Sequence, residues 1–369
     1  MDYAYALLDK GYIPDSALRP VIRQLCRKRL REIDHGSFGA NHAAKMEFVK
    51  DLHNRPIATH TSEANEQHYE VPTSFHALCM GPRMKYSSCL WVNPKNKTSK
   101  PVKTLAEAED LMLSSYCSDA KLGLGLRGVG DAKDGGEVGK EGEGLKILDL
   151  GCGWGSLGLF LAEHYPLAQI KMLSNSRTQK EYIDSKAAEK GYKNVEVITG
   201  DVNVYDFEQK EQFTHIMSIE MFEHMKAYHL LLKKVSSWLQ PNGKLFIHIF
   251  CHRTQPYHFE EDDGWMSQTF FSGGTMPSFD LFTYFQEDLI LKHSEYINGV
   301  NYSKTLESWL VNQDKNGKQA MKNLVDSMGE EEGRKTYYRF RVFFMACAEF
   351  FGLDGGETWG VGKYLFEKR

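Results

Sequence analysis

Between Lys146 and Phe250 the chain alternates short apolar runs with amphipathic stretches of helical period, and this alternation limits the available folds more than any other feature. The run "KILDL" leads to "WGSLGLFLAEHY", "QIKMLS" to "RTQKEYIDSKAAEKG", "VEVITG" to a short helix, and "THIMSI" to "AYHLLLKKVSSWLQ"; "KLFIHIF" closes the series. Apolar strands separated by helices of this length predict an α/β fold, a doubly wound and mostly parallel sheet with right-handed crossovers. In such sheets ligands lie beyond the carboxyl ends of the strands, so residues at those ends are the first candidates for function.

Bulk properties narrow the classes. The 369 residues carry a net charge of −4 and a sequence pI near 6.4, which provides no general attraction for nucleic acid or an anionic bilayer. No run is long enough to span a membrane, and the first twenty residues show no basic leader followed by an apolar stretch. Seven scattered cysteines, none in a CxxC pair, suggest neither a disulfide framework nor zinc. A cytoplasmic protein without a metal is expected, with a homodimer as an allowed assembly and no nucleic-acid partner.

The flanks divide by composition. Residues 1–118 read as a helical cap; its segment from Ser16 to Asp34 sets Val21, Ile22, Leu25, Cys26, Leu30 and Ile33 on one stripe, with Arg23, Arg27, Lys28, Arg29 and Arg31 expected on a solvated face. A second helix is expected over Ala43 to His53. Residues 119–144, rich in glycine and charge, predict a flexible insertion. Residues 145–255 form the expected core domain. The aromatic stretch "GWMSQTFFSGGTMPSFDLFTYF" begins a predicted substrate lid over 256–345, and 346–369 complete a helix and a closing strand.

"LDLGCGWGSLGL" sets Gly151, Gly153 and Gly155 after a strand and at the start of a helix. Without side chains the backbone there can approach a ligand, and the helix start offers unpaired N–H groups. A dinucleotide site would carry an acid at the end of the second strand; "KMLSNSRTQ" has none, and provides Asn175 and Gln179 instead. After "THIMSIE", the stretch "MSIEMFEHMKAY" gathers Glu220, Glu223 and His224 at a strand exit, where spacing by three is expected to set both acids on one helical face.

Together, "LDLGCGWGSL", "SNSRTQK", "SIEMFEHMKAY", "HYEVPTSF" and "MKYSSCLW" resemble the coclaurine N-methyltransferase-like group of the cyclopropane-fatty-acid synthase family. The resemblance implies a Rossmann-like methyltransferase using S-adenosylmethionine. It implies cofactor contacts at Tyr86, Ser87, Ser88, Gly151, Gly153, Asn175, Gln179, Asp201, Val202 and Ser218. Glu220, Glu223 and His224 would form the catalytic cluster, with His224 as general base and the glutamates as anchors of an ammonium. Tyr69, His248, Phe271 and Tyr302 would face a small, aromatic or alkaloid-like amine.

Two other readings stand beside this one. Cyclopropane synthases of the same family methylate a lipid double bond with the help of a bicarbonate held by cysteine, glutamate, histidine and tyrosine. Glu223, His248 and Tyr302 match three of these, but Ser88 stands at the cysteine's position and Cys89 one later, which favours the amine. Membrane contact is expected only for the lipid substrate. The other reading is a catalytically silent S-adenosylmethionine-binding protein, against which the intact Glu220, Glu223 and His224 cluster counts. His248 and His252, four apart, gain no third ligand at a useful spacing for a metal.

Overall fold

A computed structural model describes residues 2–57, 71–92, 102–123, 142–259 and 273–369. Its main sheet contains β1 (Lys146–Leu150), β2 (Gln169–Ser174), β3 (Val195–Thr199), β4 (Phe213–Ile219), β5 (Leu239–His252), β6 (Leu289–Ile297) and β7 (Trp359–Lys368). The spatial order is β3-β2-β1-β4-β5-β7-β6. The first five are parallel, and β7 runs antiparallel between β5 and β6. This is the doubly wound α/β sheet expected from the alternation.

Strand order reverses at β1, which has β2 on one side and β4 on the other. Leu150 pairs with Leu173 of β2, and Asp149 with Met217 of β4. That register brings Gly151, Asn175 and Glu220, each just past the end of its strand, to one edge of the sheet, where the crevice of such folds opens. Residues between β3 and β4 form turns and bends where a short helix was expected.

β6 was not anticipated. It lies within the segment read as lid, yet it forms the outer strand of the main sheet, paired with β7 from Leu289 to Ile297. Its ends, Leu289 and Ile297, are buried while the charged middle is exposed or half-buried, which suits an edge strand.

The helical cap contains α1 (Asp2–Asp9), α2 (Asp15–Glu32), α3 (Phe38–His53), α4 (Thr73–Cys79) and α5 (Leu105–Asp119). α6 (Ser156–His164), α7 (Arg177–Lys190) and α8 (Tyr228–Trp238) are the crossovers, and α9 (Val300–Lys315), α10 (Gly317–Met328) and α11 (Glu330–Gly352) pack on one another. α5 starts at a full capping box: Glu107 N donates to Thr104 Oγ1 and Thr104 N donates to the Glu107 carboxylate. No described helix is long and apolar enough to cross a membrane.

On the basic face of α2, Arg23, Arg27, Lys28 and Arg31 are exposed as expected, but acids from elsewhere in the fold tie part of that face down. Arg19 pairs with Glu307 of α9 and Glu349 of α11, Arg23 joins it on Glu349, and Arg27 reaches Asp354. The helix therefore turns Leu18, Ile22, Cys26, Leu30 and Ile33 inward, while Val21 and Leu25 remain more than half exposed. Acids on α9 and α11 thus anchor the helix by its arginines, while Ile22, Cys26, Leu30 and Ile33 of the predicted stripe, extended by Leu18, face the core. Each half-exposed pair contributes up to about 1 kcal/mol, so it orients the helix more than it stabilises it.

Candidate active site

The three glycines after β1 take left-handed backbone, with φ of 79°, 51° and 76° at Gly151, Gly153 and Gly155. Their reasons differ. A Cβ on Gly151 would lie 2.6 Å from Met221 Cγ and one on Gly155 2.7 Å from Ile183 Cγ1, whereas Gly153 faces open space. Packing thus requires glycine at two positions, and at Gly153 the backbone lies bare to a ligand. Beneath the turn, Asp149 is buried and its carboxylate accepts from Gly158 N at 3.0 Å; burial pushes its pKa up to about 7.

One depression joins Gly151 and Gly153 to Asn175, Gln179, Asp201 and Val202, all of which the sequence singled out. Asn175 is exposed at the strand end. Gln179 is buried: Ser174 Oγ donates to its Oε1 at 2.6 Å, and its Nε2 donor has no partner among the described residues. Asp201 accepts from Asn203 N at 2.9 Å, which turns its carboxylate into the following loop. A second depression joins the same glycines to Tyr86, Ser87 and Tyr116. Ser218 and Ser88 line neither of these: the Ser218 hydroxyl donates to Leu150 O at 2.8 Å, clamping β4 to β1, and the Ser88 hydroxyl donates to Cys89 O at 3.3 Å.

Glu220 borders both depressions and a third one as well. Its backbone is left-handed, φ 49°, and its N–H donates to His248 O at 2.8 Å. That conformation breaks the helical turn expected to carry both acids, since regular structure resumes only in the 3₁₀ turn Phe222–His224. The Glu220 carboxylate is enclosed by donors. Oε1 accepts from Ser88 N at 3.1 Å and from His248 Nε2 at 3.0 Å, and Oε2 accepts from the Tyr302 hydroxyl at 2.6 Å. Burial would raise its pKa, but the hydrogen bond from His248, the Lys85 charge and the Tyr302 hydroxyl more than offset this and hold it below the usual value.

Glu223 is buried also, and its Oε2 has no partner among the described residues. Burial first, and the adjacent Glu220 charge second, push its pKa well above the carboxylate range. Glu220, Glu223 and His224 all line the third depression, whose walls are Phe250, Tyr302, Trp309, Phe343 and Phe351. Tyr302 and Phe351 stack with centroids 4.4 Å apart. His224 also borders the depression at Asn175 and Asp201, and Tyr86 the one at Ser87, so these side chains stand where the chambers meet.

Like Ser88 and Ser218, His248 stands off the chamber walls where a contact was expected. His248 is fully buried behind Glu220, with Nδ1 bonded to the Tyr116 hydroxyl at 2.9 Å and Nε2 to Glu220, so it lines none of the three chambers. Tyr69 and Phe271 lie outside the described residues, as do most positions of the predicted insertion, 124–141. Six wall residues were missed: Phe250, the pair Leu306 and Trp309 on α9, and the series Phe343, Cys347 and Phe351 on α11. The spacing by four was legible as a single helical stripe. Among the described residues no group of histidine, cysteine and acid side chains is arranged to hold a metal.

Comparison with known proteins agrees with this geometry. The mycolic acid cyclopropane synthetase family profile matches residues 138–357. (S)-coclaurine N-methyltransferase of Papaver somniferum is 33% identical over 98% of this chain and 97% of its own length. The same enzyme of Thalictrum flavum subsp. glaucum is 32% identical, covering 98% and 94%. A crystal structure of coclaurine N-methyltransferase bound to N-methylheliamine and SAH superposes with a TM-score of 0.88 at 31% identity, over 99% of both chains. The bare backbone at Gly153 and the unpartnered donor of Gln179 fit a cofactor seated on the glycine turn. The chain belongs to the mycolic acid cyclopropane synthetase family, in its coclaurine N-methyltransferase-like group, and is an S-adenosylmethionine-dependent methyltransferase.

Proposed function

We propose that this enzyme methylates the nitrogen of a small, aromatic or alkaloid-like amine, and that Glu220, Glu223 and His224 serve the acceptor. The observation that carries the reading is the aromatic chamber holding two buried carboxylates of opposite character. Glu220, surrounded by donors, stays ionised and provides a fixed negative field beside the acceptor. Glu223 keeps an oxygen open to an N–H. Aromatic faces around them attract a cation and exclude water. His224, at the junction with the donor side, takes the acceptor's proton.

S-adenosylmethionine supplies a methyl group already activated on a sulfonium sulfur. Gly151 and Gly153 offer backbone for it, Asn175, Gln179, Asp201 and Val202 its adenosine side, and Tyr86 and Ser87 the opposite end; Ser88 contributes by holding Glu220. The relatives' names, which are those of amine N-methyltransferases, support an amine acceptor here. So does the partnering of His248 and Tyr302. Both are hydrogen-bonded to the Glu220 carboxylate, which leaves neither ready to hold the bicarbonate that the synthase chemistry requires. A cytoplasmic location belongs to the same reading, supported by seven buried cysteines without a disulfide.

A labelled-methyl screen across secondary amines, tertiary amines and unsaturated phospholipids tests the proposal. Turnover on an amine, unchanged after bicarbonate is removed from the buffer, is expected. Turnover confined to the lipid and dependent on bicarbonate would overturn it.

A further inference from the structure

We propose that Tyr116 is a positioning residue for methyl transfer: its hydroxyl, donating to Nδ1 of His248, fixes the imidazole as the Nε2–H tautomer that orients the Glu220 carboxylate. The inference rests on the reading of Glu220 as part of the acceptor site. It concerns a residue of the cap helix α5, 132 positions from the histidine it touches.

The direction of every bond in this chain of contacts follows from its neighbours. Glu220 accepts from Ser88 N and from the Tyr302 hydroxyl, so its carboxylate has no proton to offer His248, and the contact at 3.0 Å requires Nε2–H. His248 is fully buried, and desolvation pushes its pKa down to about 4, so the ring is neutral and Nδ1 carries a lone pair. The Tyr116 hydroxyl, 2.9 Å away, must then donate to Nδ1. Beside it, Lys85 Nζ donates to Ser87 Oγ at 2.5 Å and to Ser88 O at 2.7 Å. Tyr116 and His248 thus donate one to the next toward a single carboxylate, an arrangement in which each bond polarises its neighbour.

Two features mark this as more than core packing. Tyr116 is fully buried, and two buried ammonium groups stand over its ring, Lys85 at 5.2 Å and Lys363 at 5.8 Å from the centroid. Lys363 is held there by Asp119 at 3.0 Å and Ser115 at 2.9 Å, both on the helix that carries Tyr116. Cations on the phenol face favour donation by its O–H. Lys85, Ser87 and Tyr116 also line the donor-side chamber while Glu220 borders the acceptor, so the relay joins the two substrates' walls.

The test begins with the unaltered enzyme, labelled with ¹⁵N at histidine. The ring-nitrogen shifts of His248 should report a single Nε2–H tautomer; an Nδ1–H ring overturns the proposal whatever the activity. Tyr116→Phe keeps the ring and should bind S-adenosylmethionine within about twofold of the unaltered enzyme, lose kcat roughly tenfold, and show mixed His248 tautomers. In His248→Gln, where an amide N–H needs no tautomer control, the same Tyr116→Phe change should cost less than about twofold in kcat. Equal losses in both backgrounds, or full kcat in Tyr116→Phe alone, would assign Tyr116 to packing. An unaltered enzyme that shows the stated tautomer yet methylates no amine would overturn the acceptor reading and leave the tautomer assignment standing.

Discussion

Glu220 and Glu223, three residues apart at the exit of one strand, are buried together, and their surroundings push their pKa values in opposite directions. Two carboxylates in one dry pocket cannot both ionise at low cost, so the better-solvated one keeps the charge. Three donors converge on Glu220, whereas an oxygen of Glu223 has no partner among the described residues. Glu223 is therefore the one pushed toward its protonated form.

Amine binding should expel that proton. Burial and the adjacent Glu220 charge push Glu223 toward its protonated form, and an ammonium beside it lowers the pKa again, so proton release is expected on binding. Calorimetry in two buffers of different ionisation enthalpy should show about one proton released per amine bound. Glu223→Gln should abolish the release and weaken the amine's binding and turnover together. A release that persists in this variant would assign it to another group.

Removal of the proposed base should act on rate. His224→Ala is expected to lower kcat by roughly 10²- to 10⁴-fold. Because His224 borders the donor side as well as the acceptor chamber, S-adenosylmethionine affinity should fall too, by no more than about fivefold, the scale of one modest hydrogen bond or contact. Near-full turnover would exclude His224 from proton transfer.

The glycines separate packing from binding. Gly153→Ala meets no protein atom within 4 Å, so it should fold with only the left-handed strain of about 1–2 kcal/mol, yet lose S-adenosylmethionine affinity at least tenfold. Gly151→Ala drives a Cβ against Met221 and should lower Tm as well as affinity. Thermal melts with and without cofactor distinguish the two. Unchanged affinity in Gly153→Ala would remove that residue from the donor site.

Asp149 makes stability depend on pH. Its folded pKa, about 7, lies above the ordinary aspartate value of 3.8, so the folded state binds a proton that the unfolded chain lacks across that window. Its contribution is thus most favourable below pH 4, is lost as pH rises toward 7, and stays lost above. Asp149→Asn should therefore raise the Tm of the cofactor-free enzyme at pH 8 by roughly 2–5 °C, and the gain should vanish near pH 4. A gain equal at both pH values would mean that charge burial is not the cause.

The sheet and the glycine turn were legible because their signals are local. β1, β2 and β4 are mostly buried and read as apolar-rich segments, and the turn after β1 takes its three positive φ values at glycines. β6 was hidden because its polar, largely unburied middle, Lys292 to Glu295, competes poorly with its aromatic surroundings as a signal. On α11, "YYRFRVFFMACAEFFG" reads as apolar over most of its circumference. Nothing within the helix says that Phe343, Cys347 and Phe351 face a chamber while Phe344 faces α9, where it meets Trp309.

Sequence alone determined which chemical groups stand at the strand ends, since backbone periodicity and turn geometry place Gly151, Gly153, Asn175, Glu220, Glu223 and His224 there whatever packs above them. Tertiary structure decided what those groups are. A left-handed residue at Glu220 separates two acids that spacing had placed on one face. Ser88, His248 and Tyr302, from 28 to 132 residues away, then determine which carboxylate is charged. Protonation state depends on desolvation and on the donors within reach, and both are properties of the assembled interior that no neighbour along the chain supplies.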